Sequence, residues 1–174
     1  MKDRNLLLVG SRIELHPIRD IDKDDMFVIL SDLEIKKTYM LPDFNNEEEL
    51  NNFFIRLKNI SNDISRFVYG IYLHDHIIGF LNEVSKDDNF IELGYFISSK
   101  HWNHGYATEA LALAIDELFK MGYPNVEAAH FEHNLASGRV MQKCGMKKIN
   151  KIEEIEYRNK TYTCIYYSIA NPRL

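Results

Sequence analysis

The chain of 174 residues carries 21 Lys and Arg against 26 Asp and Glu, a formal net charge of −5, with 45% hydrophobic residues and two cysteines. This composition excludes a disordered or collagen-like chain, and no run approaches the roughly 18 apolar residues of a membrane span. The acidic balance argues against a generic nucleic-acid binder, and two cysteines cannot frame a disulfide scaffold, so free thiols in a reducing cytoplasm are the simplest reading. In chain order, residues 6–9 form a short apolar run, too brief for a secretory leader, and Gly10-Ser11 marks a turn. Residues 12–16 alternate as a half-buried strand and stop at Pro17. Asp22 can cap a helix through residue 30. Asn46 opens a second helix, with Glu47, Glu48 and Glu49 in its first turn and Leu50, Phe53, Phe54 and Leu57 at helical spacing.

Three strands follow over residues 67–73, 77–84 and 90–98, with His74-Asp75-His76 as a hairpin connection. Gly94, inside the third, predicts a bulge or a close backbone approach. The strongest helical pattern runs from residue 106 to 121, with Ala107, Ala110, Leu111, Ala114, Leu118 and Met121 on one face. Gly122 and Pro124 end it. A strand over 126–131, a short helix capped by Asn134 and ended by Gly145, and a hairpin over 148–157 and 162–169 complete the order. With no linker, repeat or low-complexity tract, one domain over residues 1–174 is expected, within the roughly 100–200 residues usual for a domain. Hairpins beside a strand–helix–strand unit imply an α/β (α+β) fold, a mixed central sheet of about seven strands with helices on both faces.

The chemically informative segment is Trp102-Asn103-His104-Gly105-Tyr106-Ala107-Thr108-Glu109-Ala110, which leads from a strand into the strongest helix. Small residues at 105 and 107 let the backbone approach a ligand, and unpaired amides at a helix start favour phosphate. The segment lacks the Gly-Lys-Ser/Thr of the nucleoside-triphosphate loop and the three-glycine dinucleotide fingerprint. Alone, it also fits a plain tight turn.

In context it resembles the phosphate-binding motif of the GNAT N-acetyltransferases, Gln/Arg-x-x-Gly-x-Gly/Ala, here Trp102-x-x-Gly105-x-Ala107. Trp at the first position is similar to the ribosomal-protein (Rim-type) N-terminal acetyltransferase branch, with His104 replacing a usual basic residue. The likeness extends to Glu92-Leu93-Gly94-Tyr95, to Asn134-x-x-Ser137 with Lys143-Cys144-Gly145-Met146, to Arg12-x-x-Leu15-x-Pro17 and to Tyr39-Met40. These segments span nearly the whole chain in the right order.

The resemblance implies a GNAT acyl-CoA N-acyltransferase fold whose central strands splay around the cofactor. Acetyl-CoA would be the co-substrate, with no metal. Its pantetheine arm would pair with the strand at Phe96 and Ile97, and Asn134 would face it near the thioester. Asn103, His104, Gly105, Tyr106, Ala107 and Thr108 would hold the pyrophosphate. The reaction would be direct attack of a primary amine on the thioester carbon, the acceptor being a protein N-terminal α-amine or a small amine such as a polyamine or aminoglycoside. Glu92 would be the base that takes the amine proton, or else a paired strand carboxylate. Ser137 would bind cofactor and protonate the leaving thiolate, or else cap its helix; the tyrosine many family members use falls at Met141 here. Tyr39, Phe44 and Glu83 are expected on the acceptor side. No nucleic acid or membrane partner is expected, and the protein would be a cytoplasmic monomer or homodimer.

A second reading is a non-catalytic acyl-CoA-binding sensor or scaffold of the same fold. The pairs His101/His104 and His130/His133 lack the helical His-Glu-x-x-His setting of a zinc site. Cys144 reads as a small buried residue rather than an acyl carrier.

Overall fold

The computed structural model describes residues 3–174. Its centre is one eight-stranded mixed sheet. The strands are β1 (Leu8–Val9), β2 (Ile13–His16), β3 (Val68–Leu73), β4 (His76–Lys86), β5 (Phe90–Ile97), β6 (Asn125–Phe131), β7 (Lys147–Tyr157) and β8 (Lys160–Ala170). They lie in the order β1-β2-β3-β4-β5-β6-β8-β7. All neighbours run antiparallel except β5 and β6, which are parallel. The hairpins turn on His74 and Asp75 (φ 49° and 68°) and on Arg158 and Asn159 (φ 51° and 58°). Left-handed backbone at both central positions matches the twist of the flanking strands.

The helices are α1 (Lys23–Leu30), α2 (Leu33–Lys36), α3 (Glu47–Asn62), α4 (Tyr106–Met121) and α5 (Leu135–Lys143). The period-2 alternation of the strands sends side chains into two cores. On one face Met26, Leu30, Phe54 and Leu57 of α1 and α3 meet Val68, Phe80 and Phe96. On the other, Ala110, Leu111, Ala114 and Leu118 of α4 and Met141 of α5 meet Tyr69, Leu81, Leu93 and Ala128. The small residues at 110 and 114 let α4 lie close to the sheet, which fixes where its N-terminus points. Among the described residues, no helix is long and apolar enough to cross a membrane.

Most expected elements stand where the sequence pattern put them, three details differ, and the alternatives at Gly94 resolve. The sheet has eight strands rather than about seven, since residues 8–9 form a short edge strand. A four-residue helix, α2, follows α1, with the Asp32 carboxylate accepting from the Glu34 amide. Asp22 precedes α1 without capping it through its side chain. Its carboxylate is taken instead by the Arg19 amide at 2.7 Å, the Arg19 guanidinium at 2.9 Å and the Tyr72 hydroxyl at 2.6 Å. Gly94 is a close approach and not a bulge: a Cβ there would lie 2.8 Å from the Tyr39 hydroxyl. The register shift falls on the neighbouring strand between Glu83 and Ser85.

Candidate active site

The parallel strands β5 and β6 pair only from Phe90 with Asn125 to Leu93 with Ala128. Beyond that point both continue apart, β5 to Ile97 and β6 to Phe131. The Ser98 amide donates to the Ile78 carbonyl at 2.7 Å. In an antiparallel ladder, alternate residues face alternate neighbours, so Phe96 and Gly94 also turn their backbone groups toward β4. Tyr95 and Ile97 therefore turn theirs toward the gap. The Trp102 indole N–H covers the Ile97 carbonyl at 2.7 Å. Phe96, expected to offer its backbone to the cofactor, turns it to β4 instead, while Tyr95 and the Ile97 amide face the gap.

The gap opens into a cleft of about 330 Å³. Its walls include Tyr39 from the α2–α3 connection, Gly94, Tyr95, Phe96 and Ile97 from β5, Asn103, Gly105, Tyr106, Ala107 and Thr108 at the start of α4, and Asn134 and Ser137 of α5. Thr38, His101, Trp102, Ala129, Ala136, Arg139, Val140 and Lys143 also line it. Tyr95 and Lys143 entered the sequence analysis only as motif residues and Arg139 not at all, and none was given a role in the site. Tyr95 reaches the site because it takes the face of β5 opposite Phe96, and Arg139 and Lys143 because they lie one turn apart on α5, which shows only once both elements are placed.

Gly105 precedes α4 at φ +83°, and no side chain caps that helix. Its first amides, at Tyr106, Ala107 and Thr108, are left for whatever fills the cleft, reinforced by the helix dipole. Helix α5, by contrast, is capped by its own residue: Asn134 Oδ1 accepts from the Ser137 amide at 3.3 Å. His104 does not line the cleft. Its Nδ1 bonds the Trp102 carbonyl at 2.7 Å and its ring stacks on Tyr106 at 5.6 Å. His101, which does line it, is held below the usual histidine range by burial and by the neighbouring His104 and Lys100.

The catalytic candidates have distinct surroundings. Ser137 Oγ lies 3.0 Å from the Tyr95 hydroxyl, and burial pushes that phenol up, partly offset by this bond. Met141 is wholly buried in the α4-side core, so that position supplies no acid. Glu92 is 9% exposed and accepts from Ser85 Oγ at 2.9 Å. Burial raises its carboxyl above the ordinary glutamate range, against the opposing Ser85 hydrogen bond. Glu92, Gly94 and Phe96 share one face by strand alternation. Tyr39 stands over that face, its ring 4.9 Å from Phe96 and its hydroxyl 2.6 Å from Asn82 Oδ1.

Two expected acceptor-side residues are elsewhere. Glu83 points to the opposite face, where its carboxylate accepts from the Phe67 amide at 3.0 Å and pairs with Lys86 at 2.9 Å and with Arg66. Burial pushes it up, but these partners outweigh burial and hold it low. It is a structural ion-pair residue. Phe44 lies outside the cleft and packs on Phe53 at 5.3 Å. Of the remaining histidines, His130 is buried under Gly138 with its ring 5.7 Å from Tyr167, and His133 bonds the Lys37 carbonyl at 2.9 Å. Cys144 lies 3.3 Å from the Thr108 carbonyl, and burial pushes its thiol up to about 11, which keeps it protonated and un-nucleophilic.

Comparison with known proteins agrees with this geometry. The family model described as an acetyltransferase (GNAT) domain matches residues 12–147. The chain belongs to the GNAT family. As a GNAT acetyltransferase it is 27% identical over 173 residues to YoaA of Bacillus subtilis (strain 168), an uncharacterized N-acetyltransferase, covering 96% of this chain and 98% of that one. A GNAT-family acetyltransferase from Bacillus anthracis superposes with a TM-score of 0.80 at 22% identity, over 95% of this chain and 98% of the other. RimL, a ribosomal L7/L12 α-N-protein acetyltransferase solved with coenzyme A, gives 0.79 at 13% identity, over 94% and 97%. The last two likenesses speak to the fold, a GNAT sheet with helices on both faces.

Proposed function

We propose that the cleft binds acetyl-CoA and that the enzyme transfers its acetyl group to a primary amine entering from the α1–α3 face. The observation that carries this reading is the juxtaposition of two sets of backbone groups without a strand or cap partner, those of Tyr95 and the Ile97 amide in the β5–β6 gap, where the Trp102 indole takes the Ile97 carbonyl, and those opening α4. The first set suits the amides of a pantetheine arm, as an added strand would. The second suits a pyrophosphate, with Arg139 and Lys143 adding positive charge along the same wall. RimL binds coenzyme A in the same fold.

In this reading Gly94 marks the acetyl position and Glu92 stands about 7 Å back along the strand, at roughly 3.4 Å per residue, so one water joins them. The amine lone pair attacks the thioester carbon, forming the C–N bond. Its proton passes through that water to Glu92 as the C–S bond breaks. The thiolate takes a proton from the Ser137 hydroxyl, which regains one through the Tyr95 hydroxyl bonded to it, drawn in the end from solvent. An alkyl ammonium has a pKa of about 10, so a base with a raised pKa suits the task better than an ordinary carboxylate.

On the sheet face that carries Glu92, beyond the residues lining the cleft, the chain itself shows how an ammonium is held. The Lys151 ammonium lies 3.4 Å from Glu127 and 3.7 Å from Glu153, with its Nζ 4.0 Å from the Tyr166 ring centroid. Carboxylates beside an aromatic face suit ammonium. A protein N-terminal α-amine, as the name of RimL states for that enzyme, and a small polyamine or aminoglycoside both fit this chemistry, in the reducing cytoplasm that two free thiols suit. The test is thiol release from acetyl-CoA over a panel of N-terminal peptides and small amines, beside a calorimetric titration with CoA. We expect CoA to bind and at least one amine to release thiol above background hydrolysis. Binding without release from any amine would favour the sensor or scaffold reading, and absence of binding would reject the cleft assignment.

A further inference from the structure

We infer that Arg12, at the entry to β2, is a positioning residue that sets the pyrophosphate-binding amides through Glu109 and the His104 carbonyl. This inference rests on the reading of the cleft as a CoA site. Arg12 makes three directed contacts with the start of α4. Its backbone amide donates to Glu109 Oε1 at 2.7 Å and its Nε to Glu109 Oε2 at 2.9 Å. Its Nη1 donates to the His104 carbonyl at 2.8 Å. Its guanidinium carbon also lies 4.9 Å from the centroid of the Tyr106 ring. The loop is thereby gripped at residues 104, 106 and 109 by a single side chain from a distant strand.

The consequence for the amides follows from peptide geometry. A trans peptide is planar, with its C=O and N–H on opposite sides. Holding the His104 carbonyl toward Arg12 turns the Gly105 N–H away from Arg12. Gly105 has φ +83°, and beyond its own chain neighbours an added Cβ would meet only Arg12 Nη2, at 3.3 Å. Arg12 is thus the back wall of the loop. The carboxylate of Glu109 in the first turn of α4 would by itself repel a phosphate at that helix start. The donors of Arg12 hold Glu109 ionised despite the opposing effect of its burial, and they cancel its charge. The result is a rigid loop whose field at the cleft comes from amides.

A direct contact of Arg12 with phosphate and a positioning role predict opposite effects of Glu109→Gln. If Arg12 acts by its own charge on the phosphate, releasing it from a carboxylate and deleting a negative charge strengthens CoA binding. If it positions the loop, losing the charged pair weakens binding. Calorimetric titration with CoA is the readout, with pantetheine, which lacks the pyrophosphate, as the second probe and thermal unfolding as a check on folding. We expect Arg12→Ala to raise the Kd for CoA about tenfold or more, the scale of one or two lost hydrogen bonds to a charged group. Arg12→Lys, which keeps the charge but not the planar fork, should recover only part of this. Glu109→Gln should weaken CoA binding, and pantetheine affinity should be the same in every folded variant. Unchanged or tighter CoA binding in Glu109→Gln, full recovery in Arg12→Lys, or an equal loss with pantetheine would overturn the inference, and these arms stand if Arg12→Ala does not fold. Wild-type protein that fails to bind CoA would instead overturn the reading beneath it.

Discussion

At the scale of single residues, Glu92 and Glu83 show how burial and partners divide two carboxylates one strand apart. Both are buried strand glutamates, at 9% and 7% exposure. Glu83 has two cations and an amide, and stays ionised as a structural pair. Glu92 has one neutral donor, Ser85, so burial wins and its carboxyl titrates above the ordinary range. The sign of the pH effect follows. As the proposed base, Glu92 must be deprotonated, so activity should fall as pH drops through its raised pKa, earlier than for a solvated glutamate. Glu92→Gln is expected to lower kcat about 100-fold or more, within the range of general-base losses, with CoA affinity unchanged and that acid limb gone. A pH–rate profile of both proteins with any turned-over amine checks it. The two carboxylates were not separable in the sequence, because which face each takes depends on the register shift between Glu83 and Ser85. A one-residue shift exchanges the faces of a strand.

At the scale of elements, the long pieces were legible because each carries its own punctuation. Asn46 accepts from the Glu49 amide at 2.9 Å, and Gly122 ends α4 at φ +100°. The four-residue α2 was not legible, since so short a segment shows no period. Asp22 has the sequence of a cap, but a local partner, Arg19 across the turn, and a distant one, Tyr72 on β3, claim its carboxylate. The turn into α4 was legible from Gly105 and Ala107, whereas its support by Arg12 needs a segment 92 residues away in sequence. Asn134 joins two functions at one element end: it caps α5, and its amide nitrogen reaches the Thr38 carbonyl at 3.5 Å across the cleft. Asn134→Ala should cost about 1 kcal/mol of stability. For a domain of this size that is about 2–4 °C in Tm. Asn134→Ser should restore the melting temperature, because Ser caps equally well, but leave CoA affinity reduced, because the longer amide is missing.

At the scale of the whole molecule, one sheet serves two cores, and β5 contributes to both, with Leu93 on one side and Phe96 on the other. Leu111 at 0% exposure and Phe54 at 2% stand in opposite cores. Leu111→Ala should cost about 2–5 kcal/mol and Phe54→Ala about 3–5 kcal/mol. Each should lower one shared cooperative transition, as calorimetry would show, and two separated transitions would reject a single folding unit. The β5–β6 junction gives this molecule a further property. Only four residue pairs bind the two halves of the sheet across it, and beyond them lie strand edges turned inward where a neighbouring strand would otherwise be. A bound arm that bonds to those edges is then the missing rung of the ladder. In the proposed reading, substrate binding and completion of the sheet become one event, and the seam that stays open is the one the substrate closes.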